Sequence, residues 1–123
     1  LDPDRFALDK VRYVVDQLHA SGRHLIVMVD PATFSGTPNV SADSYETLQT
    51  GKERGIFMAY ENGTLYEGVV WPGPTAFPDW THEGAQAWWD AEFERFFSPE
   101  TGVDVSGIWL DMNEPGENRS CTD

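Results

Sequence analysis

The chain is poor in everything that would bind a polyanion, a metal or a bilayer. Among 123 residues, 8 are lysine or arginine and 21 are aspartate or glutamate, giving a formal net charge of −13. Nucleic acid and anionic membranes both need clustered cations, so neither is an expected partner. No apolar run approaches the ~20 residues of a spanning helix. The histidines, His19, His24 and His82, are scattered without metal-ligand spacing, so neither a metal nor a cofactor is expected. A glycine-rich phosphate loop and a serine nucleophile elbow are both missing. Cysteine is reduced to Cys121. One thiol cannot close an internal bridge, so Cys121 is either free or half of a disulfide with a residue outside this stretch.

What is present converges on Gly107-Ile108-Trp109-Leu110-Asp111-Met112-Asn113-Glu114-Pro115. Three apolar residues in a row, followed by a complete reversal of polarity, read as a short strand buried on both faces of a parallel sheet. Asp111 stands where that strand leaves the core. Glu114 follows, and Pro115 rules out regular helix there. An acidic residue at the C-terminal end of a barrel strand is a usual place for a catalytic group. A carboxylate capping a following turn is the plainer alternative.

Upstream, residues 3–20 read as an amphipathic helix with Leu8, Val11, Val14, Val15 and Leu18 on one face. Asp2 or Asp4 is the expected cap, and Gly22 the left-handed stop. Residues 24–29 then read as a buried strand ending at Asp30-Pro31-Ala32, so Asp30 takes the position that Asp111 takes on its own strand. Residues 33–55 read as a long excursion with one helical turn near residues 45–49. Asn62-Gly63, between two strand-like runs, signals a hairpin. Residues 74–80 read as a proline-punctuated turn. A further helix carries Ala85, Trp88, Trp89, Phe93, Phe96 and Phe97 on a broad apolar face and stops at Ser98-Pro99, with Thr81 or His82 as cap. Trp88 and Trp89 are expected to pack a core. The order helix, strand, excursion with hairpin, helix, strand fits an α/β protein with one βαβ crossover, with no repeat or internal domain boundary in residues 1–123.

Asn39-Val40-Ser41, Asn62-Gly63-Thr64 and Asn118-Arg119-Ser120 are glycosylation sequons at Asn39, Asn62 and Asn118. Three of them in polar, turn-like stretches point to the secretory pathway, with an extracellular, vacuolar or lysosomal destination.

Four stretches together carry a resemblance that spans nearly the whole chain. Trp109 to Pro115, WLDMNEP, resembles the nucleophile signature of glycoside hydrolase family 31, the α-glucosidase family. Val29-Asp30-Pro31-Ala32, Val70-Trp71-Pro72-Gly73 and Phe77-Pro78-Asp79-Trp80-Thr81 match further markers in the same order. The resemblance implies a segment of a (β/α)8 TIM barrel around the third and fourth strands, with the hairpin and loop inserted between them. A complete barrel needs about 250 residues, so these residues make a partial catalytic domain, and both ends of the chain look like those of a segment. The remainder of the barrel is the implied partner.

The resemblance implies that Asp111 is the nucleophile and Glu114 its supporting carboxylate. Trp71, Trp109, Met112 and Asp30 become substrate-binding residues for an α-glucoside oligosaccharide. Indole rings suit that role, because their flat apolar faces pack on the C–H faces of a pyranose. Trp109 as barrel core is the alternative. Met28 falls where the family usually has isoleucine. The acid/base is implied to lie beyond residue 123, so the segment alone is expected to be inactive. A same-family α-xylosidase or transglucosidase, and a non-catalytic carbohydrate-binding barrel, are the other readings.

Overall fold

In the computed structural model, which describes residues 4–116, the first helix is α1, Leu8–Ala20. Its apolar stripe is the one expected, but it starts later. Ala7, rather than Asp4, occupies the cap position, and it makes no side-chain cap bond. The other expected cap, Asp2, lies outside the described residues. The Ala7 carbonyl accepts from the Lys10 and Val11 N–H groups instead. The C-terminus follows the expectation. Gly22 takes φ +70°, Arg23 N–H bonds the Leu18 carbonyl at 2.8 Å and Gly22 N–H bonds the His19 carbonyl at 3.0 Å. That pair of bonds closes the helix with a left-handed glycine.

The described residues divide into two compact units, 4–29 with 90–110, and 30–89 with 111–116. The first holds α1 and two parallel strands, β1 (Ile26–Val29) and β5 (Gly107–Leu110). Their register is Ile26↔Gly107 through Val29↔Leu110, so the parallel pairing expected from sequence is present. The α1 residues Arg12 and His19 tie to the chain that leads into β5. The Arg12 Nε–H donates to the Gly102 carbonyl at 2.7 Å, and His19 Nε2 lies 3.0 Å from Ser106 Oγ. Ser106 N–H bonds the Leu25 carbonyl at 2.9 Å, just before β1. Val15 and Val103 are the buried apolar side chains of this unit.

Burial of the two strands does not follow the expectation. Met28 and Trp109 are each 59 % exposed and Leu110 is 50 % exposed. An apolar run fits a strand for burial, but burial needs apolar surfaces against both faces, and a two-stranded sheet supplies neither.

The second unit is a three-stranded antiparallel sheet in the order β2-β4-β3, with one helix on it. The strands are β2 (Thr33–Phe34), β3 (Glu67–Val70) and β4 (Gly73–Ala76), and the helix is α2 (Glu46–Glu53). Two corrections follow. The excursion at residues 33–55 contains a strand and two turns of helix rather than a single turn. Residues 74–76, part of the stretch 74–80 read as a proline-punctuated turn, belong instead to the central strand β4. Pro74 is accommodated at the second position of β4, opposite Val69, where its carbonyl accepts from Ser35 N–H at 2.9 Å.

The Asn62-Gly63 hairpin is present, with the bridge Ala59↔Leu65 and Gly63 at φ +82°. A second reversal at Trp71-Pro72 joins β3 to β4 through the pair Val70↔Gly73. The core of the unit is Ala42, Leu48, Ile56, Phe57, Ala76, Ala85 and Trp88.

The last helix, α3 (Ala85–Phe97), brings Trp88 into that core with no exposed surface. Its Nε1–H donates to Thr50 Oγ1 at 3.1 Å, which satisfies the one polar atom that burial would otherwise strand. Trp89 packs against the same cluster, partly buried. The expected packing role of the pair therefore holds. The turn before α3 is fastened by Asp79, whose Oδ1 accepts from Thr81 N–H at 2.9 Å and Thr81 Oγ1–H at 2.7 Å. Those donors hold the Asp79 carboxyl below its ordinary pKa, mainly through the hydroxyl.

Candidate active site

Asp30 and Asp111 are the first residues beyond the paired ends of β1 and β5. With Val29 opposite Leu110, they come next in line on neighbouring parallel strands, which lie about 4.8 Å apart. The polarity reversal in each run therefore falls at the same end of the strand pair, with one carboxylate following each strand.

Their surroundings differ. Asp111 is half-buried, and its Oδ1 accepts from the N–H of the next residue, Met112, at 2.9 Å. Asp30 Oδ1 is buried and has no hydrogen-bond partner among the described residues. A buried carboxylate oxygen without a donor is costly. It is also the arrangement in which a ligand hydroxyl finds an acceptor already desolvated.

Met112 has the left-handed backbone, φ +50°, the one non-glycine residue in the described chain with positive φ. That conformation costs of order 1–3 kcal/mol in a non-glycine residue and persists where neighbours fix it. Two neighbours are visible, both indoles. Trp71 Nε1 lies 2.9 Å from Met112 Sδ, and Trp80 Nε1–H donates to the Asn113 carbonyl at 3.3 Å. Gly68 on β3 completes the seat. A Cβ there would stand 2.6 Å from the Gly116 carbonyl oxygen and 2.8 Å from the Phe77 ring, so only glycine lets the chain beyond Pro115 lie so close.

Of the expected substrate residues, the structure brings Trp71 and Met112 into contact and leaves the Trp71 ring 77 % exposed. Trp109 stands on β5 with an exposed ring and is not core in these residues. Glu114 is exposed and makes no side-chain hydrogen bond among the described residues. Asn39 and Asn62 are both at the surface. The Asn62 side-chain oxygen accepts from Thr64 N–H at 3.0 Å and also from the Thr64 hydroxyl. Asn118 and Cys121 lie outside the described residues. Sequence reasoning missed the role of Trp80. Its partner is a backbone carbonyl 33 residues away, and such a bond has no local pattern.

Residues 1–123 match the glycosyl hydrolases family 31 TIM-barrel domain. The chain belongs to glycosyl hydrolases family 31. Curated relatives bear out the resemblance. One is the probable alpha/beta-glucosidase agdC of Aspergillus clavatus, 53 % identical over 114 residues, covering 93 % of this chain and 12 % of the relative. Another is glucoamylase 1 of Candida albicans, 38 % identical, covering 92 % of this chain and 12 % of the relative.

Solved structures agree. ER glucosidase II, a complex of a catalytic subunit and the binding domain of a regulatory subunit, superposes with a TM-score of 0.71 at 27 % identity. The match covers 94 % of this chain and 12 % of the solved one. A family 31 alpha-glucosidase from Bacteroides thetaiotaomicron gives a TM-score of 0.65 at 32 % identity, over 88 % of this chain and 17 % of that one. The family 31 chain thus spans about an eighth of the curated relatives it matches. Within that span its helices and strands are part of a TIM-barrel domain.

Proposed function

We propose that these residues form the nucleophile region of a retaining α-glucosidase, which removes terminal non-reducing α-linked glucose from oligosaccharides. The observation that carries the reading is Asp111. It directly follows a parallel strand, it is half-buried, and its Oδ1 accepts from the Met112 N–H. That bond fixes the carboxylate plane and leaves Oδ2 to meet the sugar.

In a retaining reaction the Asp111 carboxylate attacks the anomeric carbon. The bond to the leaving oxygen breaks, and a carboxylic acid outside residues 1–123 supplies that oxygen's proton. The same group then takes a proton from water as the water displaces Asp111 from the covalent glucosyl intermediate. Asp30 follows the neighbouring strand β1 at the same end as Asp111 rather than lying across a substrate from it, so it suits a hydroxyl acceptor. Its donor-free Oδ1 supports that role. Trp71, Trp109 and Met112 supply apolar surface for the sugar ring, and Glu114 supports the strand end.

The strands β1 and β5 are read as the third and fourth of the barrel. Glycans on Asn39, Asn62 and Asn118, a disulfide from Cys121 to a residue elsewhere, and passage through the secretory pathway complete the proposal.

The test is covalent trapping of the complete protein with a mechanism-based α-glucoside inactivator, followed by peptide mapping. Label on Asp111 is expected. Asp111→Asn is expected to lower turnover by about a thousandfold or more with folding intact. An intact, folded protein that takes no label on Asp111 would overturn the reading and favour a carbohydrate-binding barrel without catalysis.

A further inference from the structure

Trp80 is half of a link that the reaction as described does not use. Its ring packs edge-on against Trp89, with centroids 5.4 Å apart and planes at 82°. The Trp89 ring lies tilted at 36° to that of Trp88 with centroids 5.7 Å apart, and Trp88 meets Phe57 edge-on at 5.6 Å. Trp88 and Phe57 belong to the buried core of the unit. An unbroken row of rings therefore runs from that core to Trp80, and ends in the hydrogen bond to the Asn113 carbonyl.

The far end of the row is the point of interest. Asn113 follows Met112, whose left-handed backbone aims its N–H at Asp111 Oδ1. A strained φ holds only while its neighbours fix it, and the Asn113 carbonyl is fixed by Trp80. We propose that Trp80 is a positioning residue for the nucleophile. It transmits the rigidity of the aromatic core to the Met112–Asn113 peptide, and through the Met112 N–H it sets the orientation of the Asp111 carboxylate. This inference rests on the assignment of Asp111 as nucleophile.

Orientation acts on the rate of the chemical step more than on ground-state binding, because a carboxylate turned away from the attack line still lets the sugar bind. Trp71, which meets the Met112 thioether, has an exposed face for substrate; the Trp80 hydrogen bond to this segment goes to a backbone carbonyl. The two indoles are therefore expected to separate in kinetics, with loss of Trp71 raising KM and loss of Trp80 lowering kcat.

The experiment is Trp80→Phe in the complete protein. Phenylalanine keeps a ring against Trp89 and deletes the N–H. Active sites are titrated with the mechanism-based inactivator, and kcat is expressed per titrated site, so that any misfolded fraction drops out. The expected result is a fall in kcat per site of about five- to twentyfold, the loss of one oriented hydrogen bond, with KM changed less than twofold. An unchanged kcat per site overturns the inference, whether or not the variant melts earlier, because Trp80 would then serve stability alone. A rise in KM without a fall in kcat also overturns it, since that would make Trp80 a substrate contact. If the wild-type protein itself takes no label on Asp111, the assignment of the nucleophile has failed, and that failure is read before any variant is compared.

Discussion

Met112 concentrates the residue-scale physics of this protein. Its φ of +50° is a conformation that L-residues avoid and β-branched residues avoid most. Isoleucine at this position would keep the volume and lose the conformation, while leucine would keep both and lose only the sulfur that meets Trp71. Met112→Ile is therefore expected to slow covalent trapping at Asp111 by about tenfold or more, the rate equivalent of some 1–3 kcal/mol of backbone strain. Met112→Leu should stay within a few-fold. Equal rates for the two variants would show that the left-handed turn is not what orients Asp111. At this scale the sequence was informative about carboxylates and silent about their orientation. Asp30 and Asp111 were legible because an apolar run breaks on each of them. The donor to Asp111 was not, since a backbone N–H has no letter of its own and a positive φ is not announced by methionine.

Elements were legible in proportion to how strongly their side chains repeat. α1 and α3 carry long apolar stripes, and β1 and β5 are unbroken apolar runs, so all four stand close to where they were expected. α2 was underestimated because Thr47, Gln49, Thr50, Gly51 and Lys52 make no stripe. The buried positions are Leu48 and Gly51, and Gly51 reads as a helix breaker until the Phe57 ring is seen against it. β4 was hidden by Pro74, since proline is usually confined to the start or edge of a strand. Its neighbour β3 depends on Gly68 in a way that can be tested. A methyl group there would collide with the Gly116 carbonyl and with Phe77, whereas at Gly22 it meets nothing within 4 Å and costs only the left-handed φ. Gly22→Ala is expected to destabilise by about 1 kcal/mol. Gly68→Ala should lower the melting temperature further and also slow trapping at Asp111, because the segment it displaces is continuous with Asp111, the proposed nucleophile. A Gly68→Ala protein with normal trapping would separate the β3 seat from the site.

At the scale of the whole chain, the strand pair shows a surface made to be covered. Ile26, Met28, Ile108, Trp109 and Leu110 are all exposed here, although their sequence is that of strands enclosed on both faces. The relatives, in which this stretch is about an eighth of the chain, offer the explanation that other parts of a barrel cover it. Exposed contiguous apolar surface on a soluble chain binds hydrophobic probes or itself. The net charge of −13 opposes self-association through repulsion, and that opposition weakens as salt shortens the screening length from about 10 Å at 0.1 M to about 3 Å at 1 M. The 123-residue chain by itself is therefore expected to bind a hydrophobic dye and to shift from monomer towards larger species as salt rises, measured by light scattering. It should show no glucosidase turnover at any salt concentration, because the proposed reaction takes its acid/base from outside these residues. Turnover by the pure chain would place the acid/base among these residues and make Asp30, which follows the neighbouring strand β1, the first group to test. A monomer that ignores both dye and salt would mean that the strand faces are covered from within, and the case for a barrel completed by other residues would lose its structural support.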